Sequence, residues 1–152
     1  HAEAKKHLEL AIKYDDEYAE AYNDLGYLLI LIDRRREAEI LLERGLLLNT
    51  ASVETLASLY KNLGWVAFLK EDYETAIAML KKAIPRDRTG LGTQAWLLLA
   101  QSYEGKYQET KERRYRELAC ETLDDVLKMF PRLSEDVDVV KFQSNWYCYD
   151  NP

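Results

Sequence analysis

The chain is 152 residues long, 47% apolar and 32% charged, with a net charge of −6, enough for one compact or elongated domain. The acidic balance disfavours nucleic acid as the main partner, because phosphate neutralisation dominates that kind of affinity. The longest apolar run, Tyr27–Ile32, is far too short to cross a bilayer, so no membrane insertion is expected and the run reads as a helix buried by its neighbours.

At the start, Ala4, Leu8 and Ala11 put a small, a large and a small residue at i, i+4 and i+7, which is one face of a helix. The next element centres on Tyr22-Asn-Asp-Leu25-Gly26-Tyr-Leu-Leu29: an aromatic, two residues, Leu, a small residue, two residues and an apolar one. After a turn at Arg34-Arg35-Arg36 the small–large–small face returns at Ala38, Leu42 and Gly45. The pair then recurs. Tyr60-Lys-Asn-Leu63-Gly64-Trp-Val-Ala67 repeats the first motif, and Ala76 follows Leu63 by thirteen residues, as Ala38 follows Leu25. Pro85 stops that helix. Thr89-Gly90-Leu91-Gly92-Thr93 joins it to the next copy; the stretch lacks the strand and the Lys-Ser/Thr ending of a phosphate loop. The third copy is Trp96-Leu-Leu-Leu99-Ala100-Gln-Ser-Tyr103, with Ala119, Leu123 and Val126 as its second helix. Leu99 to Ala119 spans twenty residues, so a seven-residue insertion is expected between the two helices, within Glu104–Arg116.

Self-similarity at a period near 35 marks a repeat protein, and two helical faces thirteen residues apart make each unit an αα-hairpin. In these motifs the chain resembles the tetratricopeptide repeat family over roughly residues 1–131. The resemblance implies an all-α, right-handed superhelical solenoid of antiparallel helix pairs, about three and a half repeats long. Residues 1–18 would be the second helix of a truncated repeat, 19–52, 53–88 and 89–131 three repeats, and 132–152 a C-terminal capping helix or tail. Departures are local. Ala100 stands where Gly is usual, and of the prolines only Pro131 takes the repeat-end position. Leu25 to Leu63 is 38 residues, about one helical turn over the usual period of about 34, so the first helix of repeat 2 is expected to begin a turn early, near Ser52. A half repeat cannot bury its face alone. The chain is therefore read as a fragment of a longer one, with an open N-terminal face on which a second copy can stack as a homodimer.

Repeats of this family present surfaces for binding, so the expected function is a protein–protein interaction scaffold that takes a peptide or helix of a partner in the concave groove. By the resemblance, that groove is lined by a stripe of the first helices: Asn23, Tyr27 and Ile30, then Lys61, Trp65 and Phe68, then Leu97, Gln101 and Glu104. Tyr27, Ile30, Trp65 and Phe68 would form an apolar, aromatic floor, with Asn23, Lys61 and Gln101 as polar contacts. The competing reading puts the apolar members in the core. A carboxylate clamp of successive Lys and Asn residues is not matched, because Tyr27 and Trp65 occupy the places where Asn is needed. Arg34, Arg35 and Arg36, with Arg113 and Arg114, could form a basic edge for an acidic partner, or a solvated edge balanced by nearby glutamates.

No nucleophile elbow, phosphate loop or HExxH is present, so neither enzyme activity nor a cofactor is expected. Cys120 and Cys148 form no CxxC and no metal spacing, His1 and His7 are poorly placed to share a helix face, and Cys120 reads as a small residue near packing. The tail reads as a short helix starting at Ser134 that caps the last repeat; Phe142, Trp146, Tyr147 and Tyr149 could alternatively dock a partner or fold into the groove. The second functional reading is a regulatory or sensor module of a larger protein with such an internal ligand, and a helical-repeat RNA binder is the third. A cytoplasmic location is expected.

Overall fold

The computed structural model describes residues 2–86, 93–135 and 148. Among the described residues seven α-helices follow one another: α1 (Ala2–Tyr14), α2 (Ala19–Leu31), α3 (Arg35–Leu46), α4 (Val53–Leu69), α5 (Tyr73–Ala83), α6 (Thr93–Thr110) and α7 (Arg113–Met129). Short 3-10 turns cover Ile84–Arg86 and Pro131–Glu135. The described residues contain no strand, and the fold is an all-α helical-repeat solenoid. Helices pair as α2–α3, α4–α5 and α6–α7, and α3 and α5 each also pack on the first helix of the next pair. The first helices form their own layer, α2 against α4 and α4 against α6.

Each pair closes where a large residue of the second helix sits over a small residue of the first. A Cβ added to Gly26 would lie 2.5 Å from Leu42 Cδ2, and one added to Gly64 would lie 2.7 Å from Leu80 Cγ. Real side chains do not tolerate such distances, so these glycines are required for the close approach. Leu42 and Leu80 are fully buried, as is Leu123 in the third pair, which meets Ala100 and Ala119 in one cluster. The core divides in two. One cluster gathers Leu25, Leu29, Leu42, Leu59, Leu63 and Val66; the other gathers Leu80, Leu98, Leu99, Tyr103 and Leu123. Trp65 packs against both. α1 has no fully buried residue and covers the first cluster only through Leu8 and Ile12.

Three turns join the two helices within each pair, and the first two share one design. Each has one left-handed residue, Asp33, Glu71 or Lys111, at φ 60°, 61° and 60°. The N–H of Arg34 reaches back to Leu29 O at 2.8 Å and that of Asp72 to Ala67 O at 3.0 Å, the six-to-one bond that closes a helix end. Asp72 then caps α5, accepting the Thr75 N–H at 3.1 Å. Hydrogen bonds from the Thr75 hydroxyl and N–H hold its carboxyl below the usual carboxylate range.

Two expectations change. The extra residues of the third pair are not an inserted loop. They lengthen α6 to 18 residues and α7 to 17, and only Lys111 and Glu112 remain as the turn. No residue from 104 to 116 is buried, so the added length projects beyond the core. Cys120 is not merely a packing residue: it is disulfide-bonded to Cys148 across 28 residues of sequence, and Cys148 packs against the second core cluster. The extra turn at the start of α4 is present, capped by Ser52, whose Oγ accepts the Thr55 N–H at 3.0 Å. The connection at 87–92 and the capping helix expected in the tail lie outside the described residues, apart from the turn that ends at Glu135 and Cys148.

Closing a loop of this length stabilises a fold by ~2–4 kcal/mol in the chain-entropy account. Reduction, or Cys148→Ser, is expected to lower the unfolding free energy obtained from urea titration by that amount without changing the helical circular dichroism of the folded state. Thiol titration of the unreduced, denatured chain should find no free thiol. The left-handed turn gives a second outcome of opposite sign. Glu71→Gly should raise stability by ~0.5–1 kcal/mol, because relief of left-handed strain exceeds the added entropy of the unfolded chain; equilibrium unfolding of the two proteins side by side measures it.

Candidate functional site

The layer of first helices carries the candidate site, on the seam between α2 and α4. At the N-terminal end of that seam lies a pocket of about 280 Å³. Glu20, Asn23 and Asp24 of α2 face Glu54, Thr55, Ser58 and Lys61 of α4 across it, and Ala83 and Ala95 contribute from the next elements. The wall is held together across the repeat. Ser52 caps α4 and its hydroxyl lies 2.9 Å from that of Thr55, which donates to Glu20 Oε1 at 2.8 Å. A second link runs from Asn62 Nδ2 to Asn23 Oδ1 at 3.0 Å, and Asn23 Nδ2 in turn donates to Asp24 Oδ1 at 3.1 Å. Asn62 is only 2% exposed, and its Oδ1 has no hydrogen-bond partner among the described residues.

One helical turn beyond Asn23 and Lys61, on the same faces, come Tyr27 and Trp65. Their ring centroids are 6.0 Å apart with a tilt of 46°, within the range of favourable aromatic pairs. Tyr27 is 40% exposed, whereas Trp65 is half-buried between the two cores. The rest of the predicted floor is drawn inward. Ile30 is 4% exposed and belongs to the first core cluster, so it offers no surface to a ligand and the floor assignment is corrected there. α2 is flanked by α1, α3 and α4, which leaves an apolar helix few free positions. Phe68 is half-buried, packed on the second cluster and edge-on to Tyr73 at 6.0 Å. Gln101 is exposed on α6 and does not line the pocket.

The basic edge is largely paired with acids. Arg34 bonds Glu37, and Arg35 bonds Asp33 at 2.6 Å and the Leu69 carbonyl at 2.5 Å. Arg113 lies 3.3 Å from Glu117, and Arg114 3.7 Å from Glu117 and 3.4 Å from Glu121. Arg36 is exposed in the first turn of α3. Among the described residues no group of three or more His, Cys, Asp and Glu is arranged to hold a metal ion, and no helix is long and apolar enough to cross a membrane.

With the paired helices and their glycine–leucine contacts in place, the family follows. Residues 56–89, which run from within α4 to beyond α5, match the family model described as tetratricopeptide repeat. Those residues are a tetratricopeptide repeat. Repeats of this family generally mediate protein–protein interaction. A comparison with curated proteins finds no match.

Sequence reasoning singled out Asn23 and Lys61 and missed Glu20, Asp24, Glu54, Thr55 and Asn62. A signal existed for Asn62: it stands within an apolar motif, 38 residues after Asp24, the same distance that separates the two motif leucines. The Glu20–Thr55 contact depends on how α4 starts, and no motif marks it.

The Ser52–Thr55–Glu20 chain gives a stability test of the wall. Ser52→Ala removes the cap of α4 and is expected to cost about 1 kcal/mol, read as a lower thermal midpoint with unchanged helix content at low temperature.

Proposed function

We propose that this tetratricopeptide repeat protein is an interaction scaffold that holds a segment of a partner protein along the seam of α2 and α4. The observation that supports it is the continuity of two features one turn apart: the pocket walled by Asn23 and Lys61, and the exposed ring of Tyr27 set against Trp65. An aromatic at such a place is a good anchor, since it covers a large area and gives up few rotamers on binding. The polar wall supplies direction, through side-chain groups that can bond a partner's backbone or side chains.

In the second reading the ligand is part of the same protein. The Cys120–Cys148 disulfide favours an oxidising compartment over the cytoplasm, where thiols are kept reduced.

The test is capture of partners from source-cell extract, identified by mass spectrometry, with wild type and with Asn23→Ala and Tyr27→Ala. Trp65 is left in place because it joins the two cores. Loss of the Tyr27 ring should weaken a groove-bound partner about ten- to a hundredfold, the equivalent of the ~1.5–3 kcal/mol that burying such a side chain contributes. Capture of the same partners at equal yield by both variants would place the binding surface elsewhere.

A further inference from the structure

The turns that lead from a second helix to the next first helix share one edge of the solenoid, opposite the left-handed turns within the pairs. Between α1 and α2 and between α3 and α4 they are tied together, because the Thr50 hydroxyl donates to the Glu17 carbonyl. The 3-10 turn Ile84–Arg86 packs on both α4 and α5. Ala83, just before it, shares a pocket with Glu54 and Thr55 at the start of α4. The third turn therefore lies beside the second.

Two features mark this edge. The first is apolar. Tyr14 is 86% exposed and Leu47 76%, and Tyr18 and Val53 are exposed with them. Single exposed apolar residues are ordinary, but a group of them marks a contact surface.

The second is a gradient of charge. The first turn carries Asp15, Asp16 and Glu17 against Lys13. The middle turn is flanked by Glu43, Arg44 and Glu54. The third carries Lys81, Lys82 and Arg86, and the next two residues, Asp87 and Arg88, lie outside the described residues and add one charge of each sign. Among the described residues none of the three acids of the first turn and none of the three cations of the third is in an ion pair. On the opposite edge such pairs do form, Arg34 with Glu37, Lys70 with Glu39 and Lys106 with Glu109. The cations of the third turn are also held in place. Lys82 Nζ and Arg86 Cζ lie 5.6 Å and 5.3 Å from the centre of the Tyr60 ring, and Arg86 Nη1 donates to the Lys82 carbonyl at 2.7 Å. Arg86 keeps most of its five N–H donors for other acceptors.

An edge that is acidic at one end, apolar in the middle and basic at the other is complementary to itself. A half-turn about an axis through the middle turn sets each acidic turn against a basic one and brings Leu47 and Val53 onto their own copies. This is the self-matching contact of a two-fold dimer. A partner of one sign, acidic or basic, would match only one end. We propose that this edge is the interface of a two-fold symmetric dimer of the chain, in which Asp16 and Glu17 of one copy meet Lys81, Lys82 and Arg86 of the other around a centre at Leu47. The contact is separate from the α2–α4 seam and from the N-terminal face of α1.

The test is sedimentation velocity of the 152-residue chain, disulfide intact, at low salt and up to a protein concentration of about 1 mM. Three variants are compared: Asp16→Lys/Glu17→Lys, Lys81→Glu/Lys82→Glu, and Leu47→Asp, each first shown to keep its helical circular dichroism. The expected result is a monomer–dimer equilibrium that weakens at about 1 M salt, where screening acts within about 3 Å. Each charge variant alone should dimerise about tenfold more weakly or less. An equimolar mixture of the two should recover the wild-type affinity, because both charged contacts become attractive again in the mixed dimer. Leu47→Asp should be monomeric, and its exposed position makes it the deciding variant if either charge variant fails to fold. A chain that stays monomeric at every concentration would overturn the proposal. So would a dimer that is indifferent to Leu47→Asp, or a mixture of folded charge variants that does not recover association.

Discussion

The structure depends on how closely the two helices of each pair can approach. In the first two pairs that distance is set by a glycine on the first helix and a leucine on the second, Gly26 under Leu42 and Gly64 under Leu80. The leucines are fully buried as a result. A larger residue at either glycine would push the second helix outward, and with it the face that packs on the next pair. The third pair reaches a similar burial with Ala100 and Ala119 beside Leu123. Between pairs, Gly105 on α6 gives room to the Tyr73 ring of α5, which would otherwise lie 2.4 Å from a Cβ. Solenoids have few long-range contacts beyond neighbouring repeats, so the order of the whole array is passed on through these local approaches.

Placing the first helices side by side has a consequence for function. Their outward stripe is a surface to which successive repeats contribute jointly, but the same helices must also fill the core. The competition is settled residue by residue. Ile30 and most of Phe68 go to the core, Trp65 is divided between two clusters and the surface, and Tyr27 remains exposed. The polar ends of the stripe, Asn23 and Lys61, stay at the pocket. The accessible apolar floor on this seam is therefore narrower than a simple i, i+4, i+7 count suggests.

Much of this was legible in the sequence because the motif is periodic. The thirteen-residue interval between paired faces matches the helix pairs, and the four extra residues before Leu63 appear as an additional turn of α4 with Ser52 as its cap. The seven extra residues of the third pair were legible in number and not in form. Glu104–Arg116 carries Glu, Lys, Gln and Arg, good helix formers, so the added residues extend both helices and leave only Lys111 and Glu112 as the turn. The disulfide was not legible: two cysteines 28 residues apart say nothing of whether they meet. Ile30 was misplaced because a single-helix stripe does not show that α1, α3 and α4 all pack around α2. Asn62 was hidden for the opposite reason, a polar residue inside a motif that is otherwise read for its apolar positions.

Charge placement follows a pattern that the net value conceals. The cations near the helix turns are locally paired, Arg34 with Glu37, Arg35 with Asp33, Lys70 with Glu39, Lys106 with Glu74 and Glu109, and Arg113 and Arg114 with Glu117. Exposed pairs of this kind contribute little to stability, but they cancel one another's field at a distance. The net charge of −6 must then arise elsewhere, and the pocket wall is one place where acids outnumber cations, three to one among the described residues. The arginine-rich turns, which look like the basic face of the molecule in the sequence, are close to neutral in the fold.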